Sequence, residues 1–203
     1  MKADALLLDL DNTLVDRDAA LAGWLYELLP AHARTPENLD ALIACDRGGH
    51  GTRRAFFEEV GARSGHAAAA VHARFVRDLP RFVRLKPDAD ALLSAFAGAT
   101  VIVTNGAARL QRAKLAAADL SRRVSHVVIS SERGVRKPAA EIFRAALSLV
   151  GCAPDRALMV GDHPMHDIAG ARAAGIAGVF VRSRWFDAPS GTRAVTLLTE
   201  LAS

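Results

Sequence analysis

Asp9 and Asp11 close the apolar run in "ALLLDLDNTL", residues 5 to 14, with one leucine between them. Ala5 to Leu8 have the make-up of a buried strand, and alternation along such a strand turns both carboxylates to one side at its end. Like charges that close repel, and a chain keeps them where a cation, a shared proton or a reaction uses them. Two further runs also deliver their first polar group at the carboxyl end: Thr104 after "VIV" and Asp162 after "ALMVG". Lys137 stands before Pro138, and Thr104, Asn105 and Gly106 stand before a helix-like segment with Leu110 and Leu115. Helix N-termini favour anions. Acidic groups beside an anion site call for a divalent metal, and an all-oxygen ligand set points to Mg²⁺ rather than zinc. One chemistry for such a set is covalent: a carboxylate nucleophile forms an aspartyl-phosphate, and a second carboxylate two residues on acts as general acid, then base. Metal and lysine would hold the phosphoryl oxygens.

These residues need elements that bring them together. Short strand-type runs recur at 100–106, 126–131, 157–162 and 178–183, separated by helix-like segments. Continuous apolar strands alternating with helices predict an α/β fold with a parallel sheet covered on both faces. Residues 138–150 place Ile142, Phe143, Ala146, Leu147 and Val150 on one helical stripe, with Pro138 at the first helical position, and Gly175 suits a helix C-terminus. Ligands bind at the carboxyl edge of such sheets, so the carboxylates of the first and fourth strands are expected to meet there. The segment from 15 to 83 has almost no strand signal. Leu21, Trp24, Leu25 and Leu28 recur at helical spacing, Thr35-Pro36 opens a second helix, and Thr52 to Gly61 reads as a third. The expected organisation is a Rossmann-like core of residues 1–14 and 84–203 with a helical cap inserted at 15–83.

In these motifs the chain resembles the haloacid dehalogenase superfamily of hydrolases. "DLDNT", "VIVTNG", the lysine of "GVRKP" and "GDHPMHD" match its four motifs in order, over residues 5 to about 183. The insert after the first motif resembles a C1-type cap. The resemblance implies Asp9 as nucleophile and Asp11 as general acid/base that also gives its backbone carbonyl to Mg²⁺. It implies phosphate binding by Thr104 and the backbone around Asn105, with Lys137 neutralising the charge. Asp162 would ligate the metal directly, Asp167 through a metal-bound water, and Thr13 would support the first loop. Dehalogenases of the superfamily lack a carboxylate at the place of Asp11, whereas phosphatases and phosphomutases keep it, so its presence implies one of these rather than a dehalogenase. Asn12 stands where glycine is frequent, and His163-Pro164 where serine is common. A phosphomutase of the same fold and a non-catalytic binding protein are the alternatives.

The cap stretch "CDRGGHGTRRAFFEEV" gathers Arg47, His50, Arg53 and Arg54 around Gly48, Gly49 and Gly51. It is expected to form a flexible turn, with Arg47 and His50 touching the non-phosphate part of the substrate. It is no P-loop, lacking the Lys-Ser/Thr that follows one. In the 203 residues, hydrophobic types make up 51% and charged types 24%, a globular composition, and the net charge is +4. The arginines are spread without a dense basic run, which argues against nucleic acid and suits a small anionic substrate. Cys45 and Cys152 signal neither a disulfide framework nor a zinc ribbon. No apolar stretch has the length of a membrane span or a signal peptide, so a cytoplasmic protein is expected. The expected ligand is a small phosphorylated metabolite: a nucleotide, a sugar phosphate or a flavin-pathway phosphate.

Overall fold

The computed structural model describes residues 3–201. In chain order the main elements are β1 (Ala5–Leu8), α1 (Arg17–Leu28), α2 (Pro36–Asp46), α3 (Arg53–Ser64), α4 (Ala68–Asp78), α5 (Pro87–Ala95), β2 (Ala99–Thr104), α6 (Ala108–Ala117), β3 (His126–Ile129), α7 (Ser130–Arg133), α8 (Ala140–Val150), β4 (Ala157–Gly161), α9 (Gly170–Ala173), β5 (Ala177–Val181) and β6 (Arg193–Val195). They divide into two compact units, one of Met1–Val15 with Leu85–Ser203 and one of Asp16–Arg84.

The first unit is an α/β layer structure. Among the described residues its six strands run parallel in the order β3-β2-β1-β4-β5-β6. All four residues of β1 are buried, because β1 lies between β2 and β4, with Leu8 in register with Ile102 on one side and Val160 on the other. Side-chain alternation sends Ala5, Leu7, Val101 and Val103 to one face, where Ile142, Phe143, Ala146 and Leu147 of α8 complete a core cluster. Those four residues follow the predicted helical stripe. The helix itself starts at Ala140, not at Pro138: residues 136–139 form a turn closed by Ala139 N–H donating to the Arg136 carbonyl at 2.9 Å, and the Lys137–Pro138 peptide is cis. β6, with three residues and one buried, carries too little apolar pattern to be read from sequence.

The second unit is helical. Asp16 caps α1 by accepting from Ala19 N–H, and Thr35 caps α2 by accepting from Asn38 N–H, with Pro36 at the first helical position. α3 runs past Gly61 to Ser64 and stops at Gly65, whose left-handed backbone (φ 72°) takes the C-cap. Aromatic rings fill the interior: Phe75 packs edge-on against Trp24, with ring centroids 5.3 Å apart, and against Phe56 and Phe57.

The glycine turn after α2 is anchored rather than loose. Asp46 is fully buried and receives both the Arg17 guanidinium and, at 2.8 Å, that of Arg53, and it also accepts from Gly49 N–H at 2.9 Å. Burial alone would raise the Asp46 pKa, but Arg17 first and Arg53 next outweigh it and hold the carboxylate below its ordinary value of 3.8. A depressed carboxylate stabilises the fold above the unfolded value and loses that contribution as pH falls through the folded one. Replacing Asp46 with alanine strands the buried Arg17, so urea denaturation is expected to show a loss of roughly 3–5 kcal/mol at neutral pH, shrinking as the pH is lowered through the carboxylate range. A loss below about 1 kcal/mol, the value of an exposed pair, would contradict this role.

Candidate active site

In the strand order above, the connection reverses between β1 and β4, and an open parallel sheet opens a crevice at that switch point. Asp9 and Asp162 are the residues that follow β1 and β4. Asp9 extends the ladder by donating its N–H to the Val160 carbonyl at 2.9 Å, which fixes the two carboxylates side by side. A third comes from the π-helical turn Pro164–Ala169, where Asp167 N–H bonds the His163 carbonyl at 3.0 Å and His163 Nδ1 accepts from the backbone of Met165 and His166. Asp167 fits because residue 161 is glycine: a Cβ there would lie 2.4 Å from the Asp167 carboxyl carbon. The ligand oxygens of Asp9, Asp162 and Asp167 all fall within 4.8 Å of one another, and all three residues are buried.

Lys137 faces this cluster. Its Nζ lies 2.6 Å from Asp9 Oδ1 and 2.6 Å from Asp167 Oδ1, while Asp167 Oδ2 accepts from His163 N–H at 2.9 Å. Lys137 is itself held by Asn105, whose amide donates to the Lys137 carbonyl and accepts from its N–H, both at 2.9 Å. Burial pushes the Asp9 pKa up to about 7, against the pull of Lys137. Burial, then the Asp9 and Asp167 charges, raises Asp162 well above 3.8. Burial would lower Lys137, but Asp167 and Asp9 prevail and keep it firmly protonated.

Asp11 is turned elsewhere. β1 ends at Leu8, so alternation no longer governs residue 11, and the left-handed backbone at Asn12 (φ 59°) bends the loop. Asparagine tolerates that conformation better than most non-glycine residues, which accounts for its place at a position where glycine is frequent. Lys114 Nζ lies 2.7 Å from both Asp11 oxygens, and Gln111 Nε2 lies 3.2 Å from Asp11 Oδ2 and 2.7 Å from Thr104 Oγ1. Gly106 makes room for Gln111: with φ 149°, a Cβ there would come within 3.0 Å of Gln111 Cγ.

A family profile for haloacid dehalogenase-like hydrolases matches residues 3–175. The chain belongs to that family. It is 40% identical over 168 residues to phosphoserine phosphatase of Thermus thermophilus, a match covering 80% of this chain and 66% of that protein, just under two thirds. It is 30% identical over 203 residues to phosphoglycolate phosphatase of Caulobacter vibrioides, covering 94% and 84%. The crystal structure of the HAD hydrolase YfnB from Bacillus subtilis, bound to magnesium, superposes with a TM-score of 0.77 over 99% of this chain and 97% of that one; at 24% identity this likeness concerns the fold.

The haloacid dehalogenase fold thus brings Asp9, Lys137, Asp162 and Asp167 into one cluster and sets Thr104, Asn105 and Asp11 beside it. The Asp11 carboxylate is not among the clustered ligand atoms, which leaves its backbone carbonyl as the group it could offer a cation. Arg47 and His50 belong to the helical unit, Arg47 at the left-handed C-cap of α2 (φ 49°). Thr13 is buried, and among the described residues its hydroxyl has no hydrogen-bond partner. Sequence reading passed over Lys114 and Gln111. Two polar residues three apart on the apolar face of a helix were the available signal.

Three buried carboxylates against one ammonium repel, so the folded, metal-free protein holds protons on Asp9 and Asp162 more tightly than the unfolded chain does. Where the native state binds more protons, stability falls as pH rises. Between the ordinary value of 3.8 and about 7, the melting temperature of metal-free protein is therefore expected to fall. Asp162→Asn removes one charge and should flatten that slope and raise the metal-free Tm at pH 7, by about 2–4 °C for each kcal/mol of repulsion relieved. A lower Tm for Asp162→Asn at pH 7 would show that the carboxylate is not under strain.

Proposed function

We propose that this hydrolase is a Mg²⁺-dependent phosphatase acting on a small phosphorylated metabolite through an aspartyl-phosphate at Asp9, with residues 16–84 serving as its cap. The observation that carries the reading is the pairing at the switch point: Asp9 has one oxygen held by Lys137 at 2.6 Å, inside a buried acidic cluster, with Asp11 two residues on. The named relatives support it, since both act on small phosphate monoesters by their names.

The donor set suits a hard divalent cation. It is all oxygen and has a net negative charge, and among the described residues none donates a hydrogen bond to the Asp162 carboxylate. Asp9 and Asp162, with the Asp11 carbonyl, would hold Mg²⁺, and Asp167 would act through a water, since both of its oxygens already accept hydrogen bonds. When bound, Mg²⁺ supplies Lewis-acid neutralisation of charge between carboxylate and phosphate.

This chain's own groups supply the rest. Lys137 holds Asp9 Oδ1, which orients Oδ2 for attack on phosphorus. Thr104 and the backbone at Asn105 bind the transferring phosphoryl group beside the N-terminus of α6. Asp11 protonates the leaving oxygen and then takes a proton from the water that hydrolyses the aspartyl-phosphate. Arg47 and His50 are assigned to the part of the substrate that departs.

Phosphate release from a panel including phosphoserine, phosphoglycolate, sugar phosphates and nucleoside monophosphates should require Mg²⁺, and Asp9→Asn should lower it by at least ~10³-fold. Folded protein silent across the panel with Mg²⁺ present would overturn the reading. On the preferred substrate, Arg47→Ala and His50→Ala should each raise KM about tenfold, the value of one polar contact. Unchanged kcat/KM across the panel would remove both from the binding site.

A further inference from the structure

Lys114 and Gln111 have no part in the steps above, yet both are buried on the face of α6 that meets the first loop. A lysine is almost never buried without a partner. Here the partner is the Asp11 carboxylate, reached at 2.7 Å on each oxygen. Gln111 adds a bond of 3.2 Å to Asp11 Oδ2 and ties it to Thr104 Oγ1 at 2.7 Å, so the carboxylate that handles protons and the hydroxyl that faces the phosphate share one amide. These donors reach both Asp11 oxygens, which fixes the rotation of the carboxylate.

We propose that Lys114 is a positioning residue that, with Gln111, holds the Asp11 carboxylate where it accepts a proton from the water hydrolysing the aspartyl-phosphate. The assignment rests on the phosphatase reading of the same site. In that half-reaction the water oxygen bonds to phosphorus, the bond from phosphorus to the Asp9 oxygen breaks, and its electron pair returns to the Asp9 carboxylate. The water proton passes to Asp11. Held by the ammonium on both oxygens and by the amide that also bonds Thr104, the carboxylate keeps its place beside the phosphate-binding hydroxyl.

The test uses 2,4-dinitrophenyl phosphate with Mg²⁺, because its leaving group departs without a proton and the first half-reaction then needs no help from Asp11. Stopped-flow release of dinitrophenolate by Lys114→Met should show a burst of about one equivalent per Asp9 site, then a linear phase slowed ~10²-fold relative to the parent. The value of kcat/KM should stay within about threefold, because it reports only the steps up to leaving-group departure. Lys114→Arg should recover most of the linear rate, and Gln111→Leu should slow it in the same sense. Equal loss of kcat and kcat/KM without a burst means structural damage and overturns the assignment, as does an unchanged linear phase. A parent protein showing no Asp9-dependent release overturns the phosphatase reading and this assignment with it. A parent that turns over beside variants that do not burst rejects the assignment alone.

Discussion

The Lys137 ammonium sets the terms for the rest of the site. It lies between Asp9 and Asp167, and without it three buried carboxylates would face one another with nothing positive among them. One ammonium does not neutralise three acids, and the raised pKa values of Asp9 and Asp162 record that imbalance. The surrounding structure serves this contact. Asn105 grips Lys137 by both backbone groups, and Gly161 leaves the space in which Asp167 approaches. The reversal of strand order between β1 and β4 puts the first two carboxylates on neighbouring strand ends.

A second pairing runs alongside the first. Asp11 follows Asp9 by two residues but belongs to a different ion pair, because the loop bends at Asn12 and α6 presents Lys114 and Gln111 to it. The two carboxylates are thereby given different electrostatic surroundings. Asp9 shares its lysine with another acid and is hard to ionise, whereas Asp11 has an ammonium on both oxygens.

The helical unit solves a comparable problem with opposite signs. There a single buried carboxylate, Asp46, collects two guanidiniums and a backbone N–H, and in doing so pins the turn that carries Arg47 and His50. A turn of glycines reads as flexible from sequence. Its stiffness comes from Arg17, 29 residues away in the chain, and no local pattern reports that contact.

Much of the site was legible before any coordinates. Asp9, Thr104 and Asp162 each end or follow a recognisable run, Lys137 stands before the Pro138 that precedes a helical stripe, and the parallel α/β sheet follows from apolar strands alternating with helices, because burial on both faces leaves that mark in composition. Local capping was equally legible at Thr35-Pro36, where the chemistry involves near neighbours only. The three-residue β6 was not, and neither was the turn that delays α8 to Ala140, since both depend on what the segment packs against. What the sequence by itself determined is the set of reactive groups and their order along a sheet edge. Tertiary structure alone decided which ammonium each carboxylate receives: Asp9 pairs across 128 residues with Lys137 and Asp11 across 103 with Lys114, and charge pairing at that separation depends on distances in space that sequence spacing does not carry.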